Sequence, residues 1–126
     1  MKVLLIDDDE SLTSVYTTGL AKDGIDVTVA STGQDGISKL KAEKFDLVVL
    51  DQVLPDTSGF EVLKEIKSTD EIKNIPVIIL SNFGQEELVK QALNSGAAEY
   101  IFKYQVEITD VAKKIKAVLA EEGENK

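Results

Sequence analysis

The chain has 126 residues, 43% of them apolar and 29% charged, which suits one domain with its own core and leaves no room for a second of ordinary size. A net charge of −9 disfavours bare nucleic acid and anionic membrane surfaces, since both repel an acidic protein. Cysteine and histidine are both absent, which excludes disulfides, thiolate metal sites, histidine-based catalysis and a phosphohistidine on the chain itself.

Lys2–Ile6 opens the chain as a short apolar run that ends in Asp7, Asp8 and Asp9. Four apolar residues followed at once by acids do not make a signal peptide. The run reads instead as a strand. Leu12, Val15, Tyr16 and Leu20 then share one helical face, with Gly24 as a stop. Val27–Ala30 is a second strand. Thr32 can cap a helix carrying Ile37 and Leu40. Leu47–Leu50 is a third strand and ends in Asp51. Phe60, Val62, Leu63, Ile66 and Lys67 follow helical spacing. Val77–Leu80 is a fourth strand, followed by a helix with Leu88, Ala92 and Leu93 that closes at Gly96. Tyr100–Phe102 is a fifth strand, and Val111, Ile115, Val118 and Leu119 form the last helix. The polar segment Glu121–Lys126 reads as a frayed tail after a domain of residues 1–120. No apolar run approaches the length of a membrane span, and the expected location is the cytoplasm.

Continuous apolar strands alternating with amphipathic helices call for an α/β fold. It is a doubly wound parallel sheet of five strands with helices on both faces. Ligands bind such sheets at the C-terminal strand ends, where the strand order reverses. The residues there are Asp7, Asp8, Asp9, Asp51, Ser81, Asn82 and Lys103.

Carboxylates from two neighbouring strand ends would repel one another in one crevice. A hard divalent cation relieves that repulsion, and Mg²⁺ prefers a few carboxylate oxygens together with water and phosphate oxygens. Asp7 and Asp8 are therefore read as metal ligands. Asp9, with Glu10 beside it, is read as a helix opener. Asp51 starts the run Asp51-Gln-Val-Leu-Pro-Asp-Thr-Ser-Gly59. A carboxylate beside a metal can attack phosphorus and become an acyl phosphate. Its plainer reading is a strand-ending Asp before a turn. Ser81 can donate to a phosphoryl oxygen or simply sit in a turn. Lys103 can pair with the carboxylates or snorkel at the surface. The shared crevice favours the site reading for both.

Asp7-Asp8, Asp51 with Leu54-Pro55 and Gly59, Ser81, Tyr100 and Lys103 together resemble the receiver domain of two-component response regulators. The likeness covers about residues 2–120 in the expected order. It implies a flavodoxin-like (βα)5 fold. It implies that Asp51 is the phosphoacceptor and that Asp7, Asp8, Asp51 and the Val53 backbone carbonyl hold Mg²⁺ or Mn²⁺. Ser81, the Asn82 backbone and Lys103 would hold the phosphoryl group, and Ser81 and Tyr100 would form the switch. No organic cofactor is implied. The phosphoryl donor would be a histidine kinase or a histidine phosphotransfer protein. A protein target would meet the face of residues 81–104, and the protein would be a monomer or weak dimer. It would act on no substrate beyond its own phosphorylation and dephosphorylation.

The chain departs from the pattern in three respects. Tyr104 stands where the family usually has proline, so a trans bond and a shifted loop are expected, because a cis bond before a non-proline costs about 3 kcal/mol. Asn82 is bulkier than the usual residue and could crowd access to Asp51. Val53 and Phe83 are apolar where the family varies, and they are read as a screen that slows hydrolysis of the acyl phosphate. The acidic C-terminal segment does not resemble a linker to a DNA-binding domain, which favours a receiver that acts alone. The alternative is a phosphorylation-independent module of the same fold, a pseudo-receiver. A flavin-phosphate site is disfavoured by the acidic first loop, and a phosphatase lacks a pocket-forming insertion.

Overall fold

The computed structural model describes residues 1–82, 86–103 and 106–124, with side chains through Glu121. Strands and helices alternate as β1 (Lys2–Ile6), α1 (Glu10–Ala21), β2 (Asp26–Ala30), α2 (Gly33–Ala42), β3 (Leu47–Asp51), α3 (Gly59–Ser68), β4 (Val77–Ser81), α4 (Glu86–Asn94), β5 (Glu99–Phe102) and α5 (Ile108–Glu124). The strands form one five-stranded sheet in the order β2-β1-β3-β4-β5. All neighbours are parallel. This is the doubly wound, flavodoxin-like arrangement expected from the sequence.

Period-two alternation divides each strand between two cores. Val3 and Leu5 of β1 join Val49, Ile78, Leu80 and Ile101 against Tyr16 and Leu20 of α1 and Val111, Ile115 and Val118 of α5. Leu4 and Ile6 join Val48, Leu50 and Ile79 against Ile37 and Leu40 of α2 and Val62, Leu63 and Ile66 of α3. Every residue of β3 and β4 is buried. That explains their unbroken apolar sequence: a strand covered on both faces has no solvent side to mark with polar residues.

The helix starts are fixed by side chains. Asp9 accepts from the Leu12 N–H at 3.1 Å, and Thr32 accepts from the Asp35 N–H at 3.0 Å. Ser58 accepts from the Glu61 N–H at 3.2 Å and opens α3. Each oxygen supplies a partner for an N–H that the first turn leaves without one. After α1 the chain turns at Gly24, whose φ of +77° is the left-handed region that glycine adopts without penalty.

Two expectations about buried faces need correction. Val15 was assigned to the inner face of α1 but is 54% exposed, and Thr13 is buried in its place. Thr13 can enter the core because its hydroxyl donates to the Glu10 carbonyl at 3.1 Å. Leu93 of α4 is likewise 45% exposed, and Ala92 faces inward. The helix α5 continues to Glu124, into the segment read as a tail.

Candidate functional site

Strand order places the C-terminal ends of β1 and β3 side by side, with Ile6 opposite Leu50. The chain leaves β1 toward β2 on one side and returns to β3 on the other, so this is the point where the strand order reverses. Asp7 follows β1 directly, and its N–H donates to the Ala30 carbonyl at 3.0 Å. Its carboxylate Oδ1 accepts from the Asp9 N–H at 3.0 Å. Asp8 lies exposed beside it. Asp51 is the last residue of β3, opposite Leu80 of β4.

The carboxylates of Asp7, Asp8 and Asp51 each bring an oxygen within 4.8 Å of the others. The Lys103 ammonium reaches in from the end of β5, on the far side of β4. It lies 2.9 Å from Asp7 Oδ2 and 3.2 Å from Asp51 Oδ1. The side chains in both pairs are less than a tenth exposed. This arrangement excludes a snorkelling surface lysine. Asp7 Oδ2 accepts no hydrogen bond of good geometry among the described residues. Its contact with Lys103 is a close charge pair, and at 2.9 Å between opposite charges the attraction stands whatever the angle. Ser81 is wholly buried at the end of β4, and its carbonyl accepts from the Lys103 N–H at 2.9 Å. Tyr100 is also buried, its ring 5.6 Å from that of Phe102.

Burial pushes the Asp51 carboxyl above its usual value, and the charge of Asp7 adds to this. Lys103 and the nearby Val53 N–H pull it back only in part. Burial disfavours the charged form of Lys103, but its close contact with Asp7 and the charges of Asp51 and Asp7 outweigh that, so its pKa is raised. The lysine is thus held as a cation. With all groups ionised, the three carboxylates and one ammonium leave two negative charges without compensation. Hard oxygen donors in a cluster of that charge fit a divalent ion such as Mg²⁺. Asp7, Asp8 and Asp51 are the residues that could hold it.

Asp9 is not part of this cluster; its side chain caps α1, as the sequence indicated. Val53 exposes 56% of its surface beside Asp51, and Asn82 is exposed as well. Phe83 and Tyr104 lie outside the described residues.

Three residues near the site were not evident from the sequence. Tyr16 was read only as a core residue. Its phenol is raised chiefly by burial, and the charges of Lys103 and Asp7 act on it in opposite directions. Gln52 is buried next to Asp51. Asp56 reaches from the β3–α3 loop to accept from the Gly33 and Gln34 N–H groups at 2.9 and 3.0 Å. Only Gln52 left a sequence signal, a polar residue between the β3 apolar run and Val53-Leu54.

A family model for the response regulator receiver domain matches residues 3–116. Among curated proteins, the chain is 36% identical over 118 residues to the transcriptional regulatory protein AfsQ1 of Streptomyces coelicolor, covering 93% of this chain and 50% of that protein. It is 33% identical to the alkaline phosphatase synthesis transcriptional regulatory protein PhoP of Bacillus subtilis, covering 94% of this chain and 48% of that protein. The chain spans about half the length of these relatives. Among solved structures, a CheY-like response regulator receiver domain protein from Methanospirillum hungatei superposes with a TM-score of 0.91 at 29% identity, covering 99% of this chain and 98% of that one. A receiver domain protein from Clostridium thermocellum gives 0.88 at 28% identity, with the same coverage of both chains. Among the described residues, no helix is long and apolar enough to cross a membrane. The chain belongs to the response regulator receiver domain family of two-component systems.

Proposed function

We propose that this receiver accepts a phosphoryl group on Asp51 in a Mg²⁺-dependent reaction and signals to a protein partner by a change of conformation. The observation that carries the reading is the cluster itself: three carboxylates within 4.8 Å and one buried ammonium bridging two of them.

Asp51 is the nucleophile. One of its carboxylate oxygens forms a bond to phosphorus as the bond to the leaving group breaks. The donor, as the family membership suggests, is a phosphohistidine on a kinase or phosphotransfer protein; because this chain has no histidine, that group belongs to another molecule. Asp7, Asp8 and Asp51, with the Val53 carbonyl, would hold the ion; Mn²⁺ offers the same preference for oxygen. When bound, Mg²⁺ neutralises charge on the carboxylates and on the transferred group. Lys103 then exchanges one contact for another, leaving Asp51 Oδ1 for a phosphoryl oxygen while keeping Asp7. The Ser81 hydroxyl and the Asn82 N–H donate to the remaining phosphoryl oxygens. Motion of Ser81 toward the phosphoryl group and the buried place of Tyr100 on the adjoining strand β5 form the two-state element. The face of residues 81–104 is the surface offered to the target. The chain acts on its own phosphorylation state and on no other substrate. The pseudo-receiver alternative finds no support in the comparisons.

The test is intact mass after incubation with a small acyl phosphate, with and without Mg²⁺, for wild type and Asp51→Asn. One added phosphoryl group that needs Mg²⁺ and is absent from the variant is the expected result. Equal labelling of Asp51→Asn would overturn the assignment.

A further inference from the structure

The loop between β3 and α3 begins with Gln52, which is only 7% exposed. Its main-chain carbonyl accepts from the Gly59 N–H at 2.8 Å. Its side-chain Oε1 accepts from the Phe60 N–H at 2.9 Å. The residue next to Asp51 thus holds two consecutive N–H groups in the first turn of α3, groups that a helix leaves without an internal partner. The donor at Phe60 fixes the amide orientation, because an N–H must meet an oxygen. Nε2 is then buried without a partner among the described residues. An apolar side chain of the same length would fill this space without an unpaired donor. Packing alone therefore does not explain the amide; its oxygen on α3 does.

The closure is tight. A Cβ added to Gly59 would lie 2.6 Å from the Asp51 carbonyl oxygen and 2.9 Å from both Gln52 Cα and Oε1. The loop enclosed in this way carries Val53, which pairs with Ser58 in a short antiparallel bridge.

We propose that Gln52 is a positioning residue: by tying the end of β3 to Gly59 and Phe60 it fixes the Val53 carbonyl relative to the Asp51 carboxylate, so that both reach one divalent cation. The inference rests on reading the Asp7–Asp8–Asp51 cluster as a cation site.

Calorimetric titration with Mg²⁺ tests it on wild type, Gln52→Met and Ser58→Ala. Methionine keeps the length and loses the acceptor. Ser58→Ala removes a cap of the same helix, the bond from the Glu61 N–H, without touching the strand end. Gln52→Met is expected to weaken Mg²⁺ binding about tenfold, as for a residue that orients a metal ligand. Ser58→Ala is expected to bind like wild type, although both variants lose helix capping. Unchanged binding by Gln52→Met, or equal weakening in both variants, overturns the inference and leaves the cation site standing. Absence of Mg²⁺ binding in wild type overturns the cation site and this inference together. Should Gln52→Met not fold, amide NMR of wild type during the titration decides. The Gly59 and Phe60 N–H signals are expected to move with that of Val53; if Val53 alone moves, the clamp plays no part.

Discussion

Lys103 is the residue on which the resting site depends. It is buried between Asp7 and Asp51 at 2.9 and 3.2 Å, and it keeps two carboxylates from facing each other alone. Removing one member of a buried charged set leaves the others uncompensated. Lys103→Met is therefore expected to destabilise the metal-free protein by about 3 kcal/mol. Mg²⁺ is expected to recover much of that loss, because it supplies the missing positive charge, and melts with and without the ion measure both effects. A variant as stable as wild type without Mg²⁺ would mean that the ammonium does not compensate these carboxylates. The acidic and basic members of this cluster were legible in the sequence because each ends a strand, and strand ends converge in a parallel sheet. Gln52 and Tyr16 were not. Their relation to the site comes from Phe60 and from Lys103, partners that the local pattern does not specify.

At the scale of the element, the β3–α3 loop is anchored at both ends of its course. Gln52 holds its base, and Asp56 holds its tip to the first two N–H groups of α2. Those two hydrogen bonds lower the Asp56 pKa. A carboxylate with a lowered folded-state value stabilises the fold at pH above its unfolded value, and that contribution disappears as pH falls through the folded value. Asp56→Ala is thus expected to be less stable than wild type at neutral pH, with the difference closing in acid below the usual carboxylate range. Denaturant unfolding across pH checks this; a pH-independent difference would assign the effect to packing of the loop. Helix positions were legible from capping residues such as Asp9 and Thr32, whose side chains act within three residues of their own position. The phase of α1 was less so. Thr13 displaced Val15 from the core because an internal hydrogen bond removes the penalty of burying a hydroxyl, and hydropathy does not register that bond.

The whole molecule is one sheet with a core on each face, and β3 contributes to both. Leu50 is fully buried in the core facing α2 and α3, directly before Asp51. Leu50→Ala is expected to cost about 2–5 kcal/mol. Because the two cores share their strands, circular dichroism and tyrosine fluorescence should report one coincident transition. Separate transitions would mean that the two faces unfold independently. This architecture was the most legible feature of the sequence, because strands such as Val77–Leu80 with no polar alternation fit only a sheet covered on both sides. The same topology that buries β3 delivers the Asp51 carboxylate to the crevice. The most direct test is to treat the Mg²⁺ and acyl phosphate reaction mixture with borohydride, which reduces an acyl phosphate to an alcohol, and to locate the change by peptide mass spectrometry. Conversion of Asp51 to homoserine, dependent on both Mg²⁺ and the donor, is the predicted result. Homoserine at another aspartate with Asp51 intact, or none in protein whose intact mass shows the phosphoryl group, would contradict the account.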